Sequence, residues 1–319
     1  MKGMGIGVNG KKVNLAFLIS IILYLLVVFG AAYLFPALMS SIILNNLVCE
    51  LVIVLPGLLL VIFLEKNLAG FLHFQKVKIG TLLVIVPFTL FSMPAISLVN
   101  LISQLFTENQ SAAAMESYQI GSMPFWSLFL SVGIFGPFCE ELICRGIYYR
   151  GYRKSGSAFK AMMLSSLLFA LLHMNINQAM YAFVMGVMAV LLVEATGSLL
   201  SSILYHMLIN SSQIFAMYRM LQANPSAYSE ASAVINTESM IFMLAGYLVI
   251  VAITLPGAWG MLVWMCEHEG RRGTLPLIWK KRKEKEDKML TIPLVIALIL
   301  CLVMMILPYI ISLYYIIIG

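Results

Sequence analysis

Six side chains between residues 140 and 210 carry most of the chemistry this sequence offers: Glu140, Glu141, Arg145, His173, His206 and Asn210. Glu141 and Arg145 are four apart, so they share a helical face and can pair. Glu140 is turned about 100° from Glu141 and is free to face a neighbouring helix. The same four-residue spacing puts Phe169 with His173, and His206 with Asn210. A carboxylate and an imidazole facing one space can hold a water and take its proton. A second imidazole with an amide NH₂ supplies two donors for a carbonyl oxygen becoming an oxyanion. Together these could hydrolyse an amide with water as the nucleophile. Glu140, His173 and His206 could equally bind zinc in the manner of His₂Glu catalytic sites, although no H-E-x-x-H motif decides for it. A Ser-His-Asp triad is excluded, because the only Asp is Asp287, in a charged stretch.

The elements that must position these residues are membrane helices. Of 319 residues, 61% are hydrophobic and 11% charged, against about 45–50% and 25% in soluble domains. That excludes a soluble enzyme, a disordered chain and a nucleic-acid-binding domain. Long apolar runs, without ten-residue alternation, predict helices and not a barrel. The expectation is an all-α polytopic bundle, one integral-membrane domain over 1–319, with about nine spans (eight possible): 14–35, 41–64, 80–102, 124–150, 158–175, 178–195, 199–218, 240–266 and 290–317. Lys2, Lys11 and Lys12 precede the first run as they would in a signal peptide, but the run is about 22 residues, too long for an h-region.

With the N-terminus in the cytoplasm, nineteen of the twenty Lys and Arg lie in or toward the cytoplasm and only Arg219 faces outward, as the positive-inside rule requires. The outer loop 103–123 carries Glu108 and Glu116 and no base. The net charge of +6 is thus a topology signal. The basic block 267–289 is read as a solvated cytoplasmic loop that fixes topology, or as a surface for anionic headgroups.

An ionisable group at membrane depth costs about 2.5–3.5 kcal/mol on insertion scales, so each marks a site or a paired structural contact. Glu50, beside Asn45 and Asn46, is the one outside 140–210; it either lines a substrate or proton path or pairs locally. Around the turn at Ser155, Gly156 and Ser157, Glu140 lies 16 residues before Gly156 and His173 lies 17 after it. At about 1.5 Å per residue the two should be level. His206, nine residues past Gly197, would stand about 13 Å up against about 24 Å for Glu140. The levels meet only if the Glu140 helix projects about 11 Å farther toward the cytoplasm. Five cysteines in or beside apolar runs make no disulfide framework, and 22 Met suit adaptable packing better than metal transport.

The stretch GPFCEELICRG at 136–146 resembles the EExxxR motif of the CPBP family, the CAAX-type prenyl-protein proteases and their bacterial relatives, often labelled Abi or bacteriocin-processing proteins. Phe169 to His173 is similar to its FxxxH motif and His206 to Asn210 to its HxxxN motif. The resemblance covers roughly 120–220, a catalytic helical core. It implies an intramembrane endopeptidase opening toward the cytoplasm, with catalytic roles for Glu140, Glu141, His173, His206 and Asn210. Glu140 would activate water, His173 would help hold it, and His206 with Asn210 would be oxyanion donors. Glu141 would either take a direct part or form a supporting ion pair with Arg145. Cys144 departs from the aromatic common at that position, which should affect packing more than chemistry. The cofactor is either none or a divalent metal such as zinc. Partners implied are the lipid bilayer and a membrane-associated peptide or protein, prenylated or a leader peptide, with a membrane sensor kinase as a further partner in some branches; nucleic acid is not among them. A bacterial plasma membrane is assumed.

Two other classes stand beside the protease. A non-catalytic scaffold modulating a sensor kinase or bacteriocin immunity would not need the motif residues. A proton-coupled transporter would also place Glu and His in the membrane, but should show broken helices in two repeats, which the sequence does not.

Overall fold

The computed structural model describes residues 7–36, 40–107, 109, 123–223, 237–283 and 289–318, and among these it is all helical. In chain order the helices are α1 (Gly10–Leu34), α2 (Ile42–Leu64), the short α3 (Leu68–Leu72) and α4 (Ile79–Ser103). Then come α5 (Phe125–Ser155), α6 (Ala158–Leu172), α7 (Ile176–Thr196) and α8 (Leu199–Ala223). The last are α9 (Thr237–His268), the short α10 (Thr274–Lys280) and α11 (Ile292–Ile318). Glu108, Glu116 and Asp287 lie outside the described residues.

All nine expected runs are helical. Seven helices, α1, α2, α4, α5, α7, α9 and α11, are long and apolar enough to cross a membrane. The nine-span expectation is not carried by length and composition alone. At 15 residues α6 falls short of the roughly 20 a crossing needs. The other, α8, carries Ser201, Ser202, His206, Asn210, Ser211, Ser212 and Gln213, and its polarity keeps it off the apolar pattern.

Local chemistry sets the boundaries around the site. Ser157 caps α6, its hydroxyl accepting from Lys160 N–H at 3.3 Å. At the other end the chain leaves the helix at His173, and Met174 takes a left-handed φ of 51°. Asn175 then caps α7 by accepting from Gln178 N–H at 2.9 Å. Gly197 closes α7 with φ 76°, where a side chain would be strained. Within α5, Phe129–Phe135 and Leu142–Tyr149 are π-helical and flank Gly136–Glu141. Wider turns of this kind leave backbone groups available and concentrate at functional sites.

Helix α7 packs against α4, α6, α8 and α9, while α5 lies between α2, α6 and α8. At Gly186 the contact with α6 is close: an added Cβ would lie 2.9 Å from Ser166 Cβ and 3.1 Å from its Cα.

The basic loops gather at one end of the bundle. Glu65 accepts from Val8 N–H at 2.8 Å and pairs with Lys154 at 2.7 Å. Ser155 accepts from Gly10 N–H, Leu199 N–H donates to His73 O, and Ser198 donates to Gln75 O. Arg271 Nε donates to Glu194 O, and Lys78 reaches His268 O. The described part of the basic block is therefore more than a solvated loop: Leu275 and Ile278 of α10 are buried, and Trp279 meets Phe159 with ring centroids 5.0 Å apart.

Candidate active site

Depth comes first, because three helices must bring their polar groups to one level. An added Cβ at Gly146 would lie 3.1 Å from Leu199 Cδ2. The first residue of α8 thus packs against a point on α5 ten residues short of Gly156, and α5 projects on past the start of α8 as the sequence arithmetic requires. Glu140 is six residues before Gly146 and His206 seven after Leu199, so the two meet.

They meet in contact. His206 Nε2 is 3.4 Å from Glu140 Oε2, and its Nδ1 is 2.9 Å from Glu141 Oε1. The same Glu141 oxygen accepts from Arg145 Nη1 at 2.7 Å, with both side chains fully buried. The expected Glu141–Arg145 pair is present, and its further contact with His206 was not legible from spacing. Arg145 Nε and Nη2 have no hydrogen-bond partner among the described residues, and the guanidinium lies 4.3 Å over the Phe169 ring. A cation so placed is held by one carboxylate and one aromatic face. Cys144 is fully buried in the adjoining core.

The Phe169 ring also joins the two histidines, edge-on to His173 at 5.0 Å and to His206 at 5.6 Å between centroids. His173 Nδ1 lies 2.9 Å from Phe169 O. A carbonyl cannot donate, so Nδ1 carries the proton and Nε2 is left as the atom that can take one or orient water. Asn210 Nδ2 donates to Val132 O at 3.2 Å, in the first π-helical stretch, which fixes the amide and uses one of its two hydrogens.

Glu140, His173, His206 and Asn210 line one cavity of about 530 Å³. Glu140 is the exposed member of the glutamate pair, its side chain 20% accessible where Glu141 is sealed. Glu50 lines the same cavity, and its Oε2 has no hydrogen-bond partner among the described residues. Sequence reasoning noted Glu50 without placing it: it comes from α2, about ninety residues away in the chain. Asn46, one turn before it, donates to Ser131 O at 3.1 Å and so ties α2 to the π-helical part of α5. Asn100, Gln178 and Gln213 also line the wall, and nothing in their local sequence marked them.

Zinc fits this arrangement poorly. Among the described residues no three His, Cys, Asp or Glu side chains converge as metal ligands. Both ring nitrogens of His206 already face carboxylates, and His173 has one nitrogen committed to a carbonyl.

The helices that build this pocket are also where the chain is similar to known proteins. Residues 122–212 match the family model described as Type II CAAX prenyl endopeptidase Rce1-like. The match runs from the start of α5 into α8 and takes in all six candidate residues, and it implies a protease of membrane-associated peptides. With its apolar helices on either side, the chain is a multi-pass membrane protein. No curated protein and no solved structure gives a significant match.

The resemblance implied a cytoplasm-facing site, yet the cavity lies on the side of Glu140 away from the basic loops, lined by Ile42, Asn45, Asn109, Gln213 and Met217. Toward the basic end the path is packed shut by Ile143, Ile147, Tyr148, Tyr149 and Tyr205, all fully buried. The described N-terminal residues and the cavity therefore lie toward opposite ends of the bundle.

Proposed function

We propose that the protein is an intramembrane endopeptidase of the CAAX-protease type that hydrolyses a peptide bond with a glutamate-activated water. The observation that carries this reading is the His206 ring, in contact with Glu140 and Glu141 at the head of a cavity shared with His173 and Asn210. The Rce1-like match over the same helices supports it independently.

In this reading a water sits between Glu140 and His173 Nε2. Glu140 takes its proton as the oxygen attacks the carbonyl carbon. The carbonyl oxygen becomes an oxyanion beside His206 Nε2 and the second N–H of Asn210, which face it as donors. Glu141 Oε1 faces His206 Nδ1 and so sets the orientation of the ring, while Arg145 Nη1 donates to the same oxygen and holds Glu141 in place. As the tetrahedral carbon collapses, the C–N bond breaks and Glu140 returns its proton to the leaving amine. Glu141 is then a positioning residue, one step removed from the reacting atoms.

Wild type and Glu140→Ala, purified in detergent, are compared on a quenched fluorescent prenylated CAAX peptide. Cleavage by the wild type that is lost in Glu140→Ala is the expected outcome, and full activity in the variant overturns the reading.

A further inference from the structure

We infer that the cavity opens on the extracytoplasmic side of the membrane and takes its substrate from there: the membrane-proximal segment of an exported peptide or protein. The substrate part of this inference rests on the proposed hydrolysis; the sidedness does not. Three observations carry it.

On the lining helices other than α8 the cavity residues fall in the half remote from the basic loops, and on α8 they start at His206, short of its midpoint, and run on toward the remote end. The lining residues of α2 run from Ile42 to Ile53, away from Glu65 and Lys66. Those of α4 begin at Ile96, away from Lys78. On α5 they are Val132 to Glu140, away from Arg150 to Lys154, and on α8 they run from His206 to Met217. Seven helices agree in that the lining of each reaches toward the remote end, so the position of the cavity along the bundle does not depend on any one contact.

Charge then assigns the ends. There is no Lys or Arg in 13–65, 79–144, 161–218, 220–270 or 289–319. The described cations, Arg145 and Arg219 apart, fall in or beside the loops that the contacts of Glu65, His73, Glu194 and Ser155 gather at the closed end. Among the described residues Arg219 alone stands at the other end. A bias this complete in short loops beside apolar helices sets the basic end in the cytoplasm.

The cytoplasmic route is also closed. From Glu140 toward the basic end the chain meets fully buried Ile143, Cys144, Ile147, Tyr148 and Tyr149 in succession. A peptide in the cytoplasm has no path to Glu140 through that packing, whereas toward the other face the cavity is lined by Asn45, Asn100, Gln178 and Gln213. A prenylated tail made and held in the cytoplasm is on the wrong side.

Single cysteines in the full chain test this, in a Cys49→Ser background that removes the native cavity-lining thiol. Gln213→Cys and Ser97→Cys mark the cavity and Lys76→Cys the basic end. Intact cells are treated with a membrane-impermeant maleimide before and after permeabilisation. Label on Gln213→Cys and Ser97→Cys in intact cells, with Lys76→Cys labelled only after permeabilisation, is the expected result. The reverse pattern overturns the inference. Should the cavity thiols stay unreactive in both states, an alkaline phosphatase domain inserted within 224–236 decides: export and activity support the inference, an inactive fusion overturns it. Labelling requires no catalysis. A reversed pattern therefore leaves the hydrolysis reading standing, and an active Glu140→Ala enzyme would remove the hydrolysis reading while leaving the sidedness in place.

Discussion

His206 Nδ1 lies 2.9 Å from Glu141 Oε1, the oxygen that also accepts from Arg145. The two adjacent glutamates are thereby divided in duty. Glu141 is sealed and holds a ring and a guanidinium in place, while Glu140 faces the cavity.

That division predicts opposite signatures for two neighbouring variants. Glu140→Ala should leave thermal melting in detergent unchanged and reduce turnover by about 10²–10⁴-fold, the size of a lost general base. Glu141→Ala strands the buried Arg145 guanidinium, which should cost about 3–5 kcal/mol of stability. Melting curves of the pair, read beside peptide cleavage, check it. Equal melting losses in both would mean that Glu140 is structural too.

Metal removal should have no effect. Among the described residues no three His, Cys, Asp or Glu side chains are placed as metal ligands, both ring nitrogens of His206 face carboxylates, and His173 Nδ1 is committed to Phe169 O. Peptide cleavage after dialysis against a zinc chelator should equal that of the untreated enzyme. Loss of activity restored by added zinc would show that the side chains rearrange around a metal.

Gly186 should be intolerant of even a methyl group. Its added Cβ would meet Ser166 Cβ and Cα at 2.9 and 3.1 Å, and a backbone atom cannot rotate aside. Gly186→Ala should therefore push α6 from α7 and cost about 1–3 kcal/mol, as overpacking does. Since α6 ends at His173, turnover should fall with melting temperature, whereas Gly246→Ala, where an added Cβ meets nothing within 4 Å, should change neither.

The sequence made some of this readable and hid the rest for physical reasons. Glu140, His173, His206 and Asn210 stood out because a polar group in an apolar run is costly, and that cost is local. The level of His206 was computable as a condition, and Gly146 against Leu199 is the contact that meets it. Glu50 and Asn46 could be seen as anomalous but not placed, because which helices become neighbours is a long-range property. The polarity of α8 that spoils it as an apolar span is the same polarity that makes the site. The direction of the cavity followed from neither motif nor hydropathy; it required seven helices to be seen together.

The loops at the basic end predict a stepped response to acid. His73 sits between α3 and α4 with the charges of Arg150, Arg271 and Glu194 around it. Its pKa is lowered from the ordinary 6.5, first by burial and then by the Arg150 guanidinium, so the folded protein keeps the ring neutral. The unfolded chain takes up the proton near 6.5 while the folded one resists it. In that window the unfolded state binds more protons, and stability falls as pH drops. Glu65 behaves alike in a lower window. Burial opposes its ionisation, but the hydrogen bond and charge of Lys154 and the Val8 N–H outweigh that and hold its carboxyl below the ordinary 4.5. Its contribution is present above that value and lost as pH falls through the lowered one. Wild-type melting temperature should therefore begin to fall below about pH 6.5 and fall again in the carboxylate range. His73→Gln should flatten the first step and keep the second, and Glu65→Gln should do the converse. If His73→Gln keeps the full first step, the ring is not its source, and the packing of α3 against the start of α8 through His73 O would be the part of this end to re-examine.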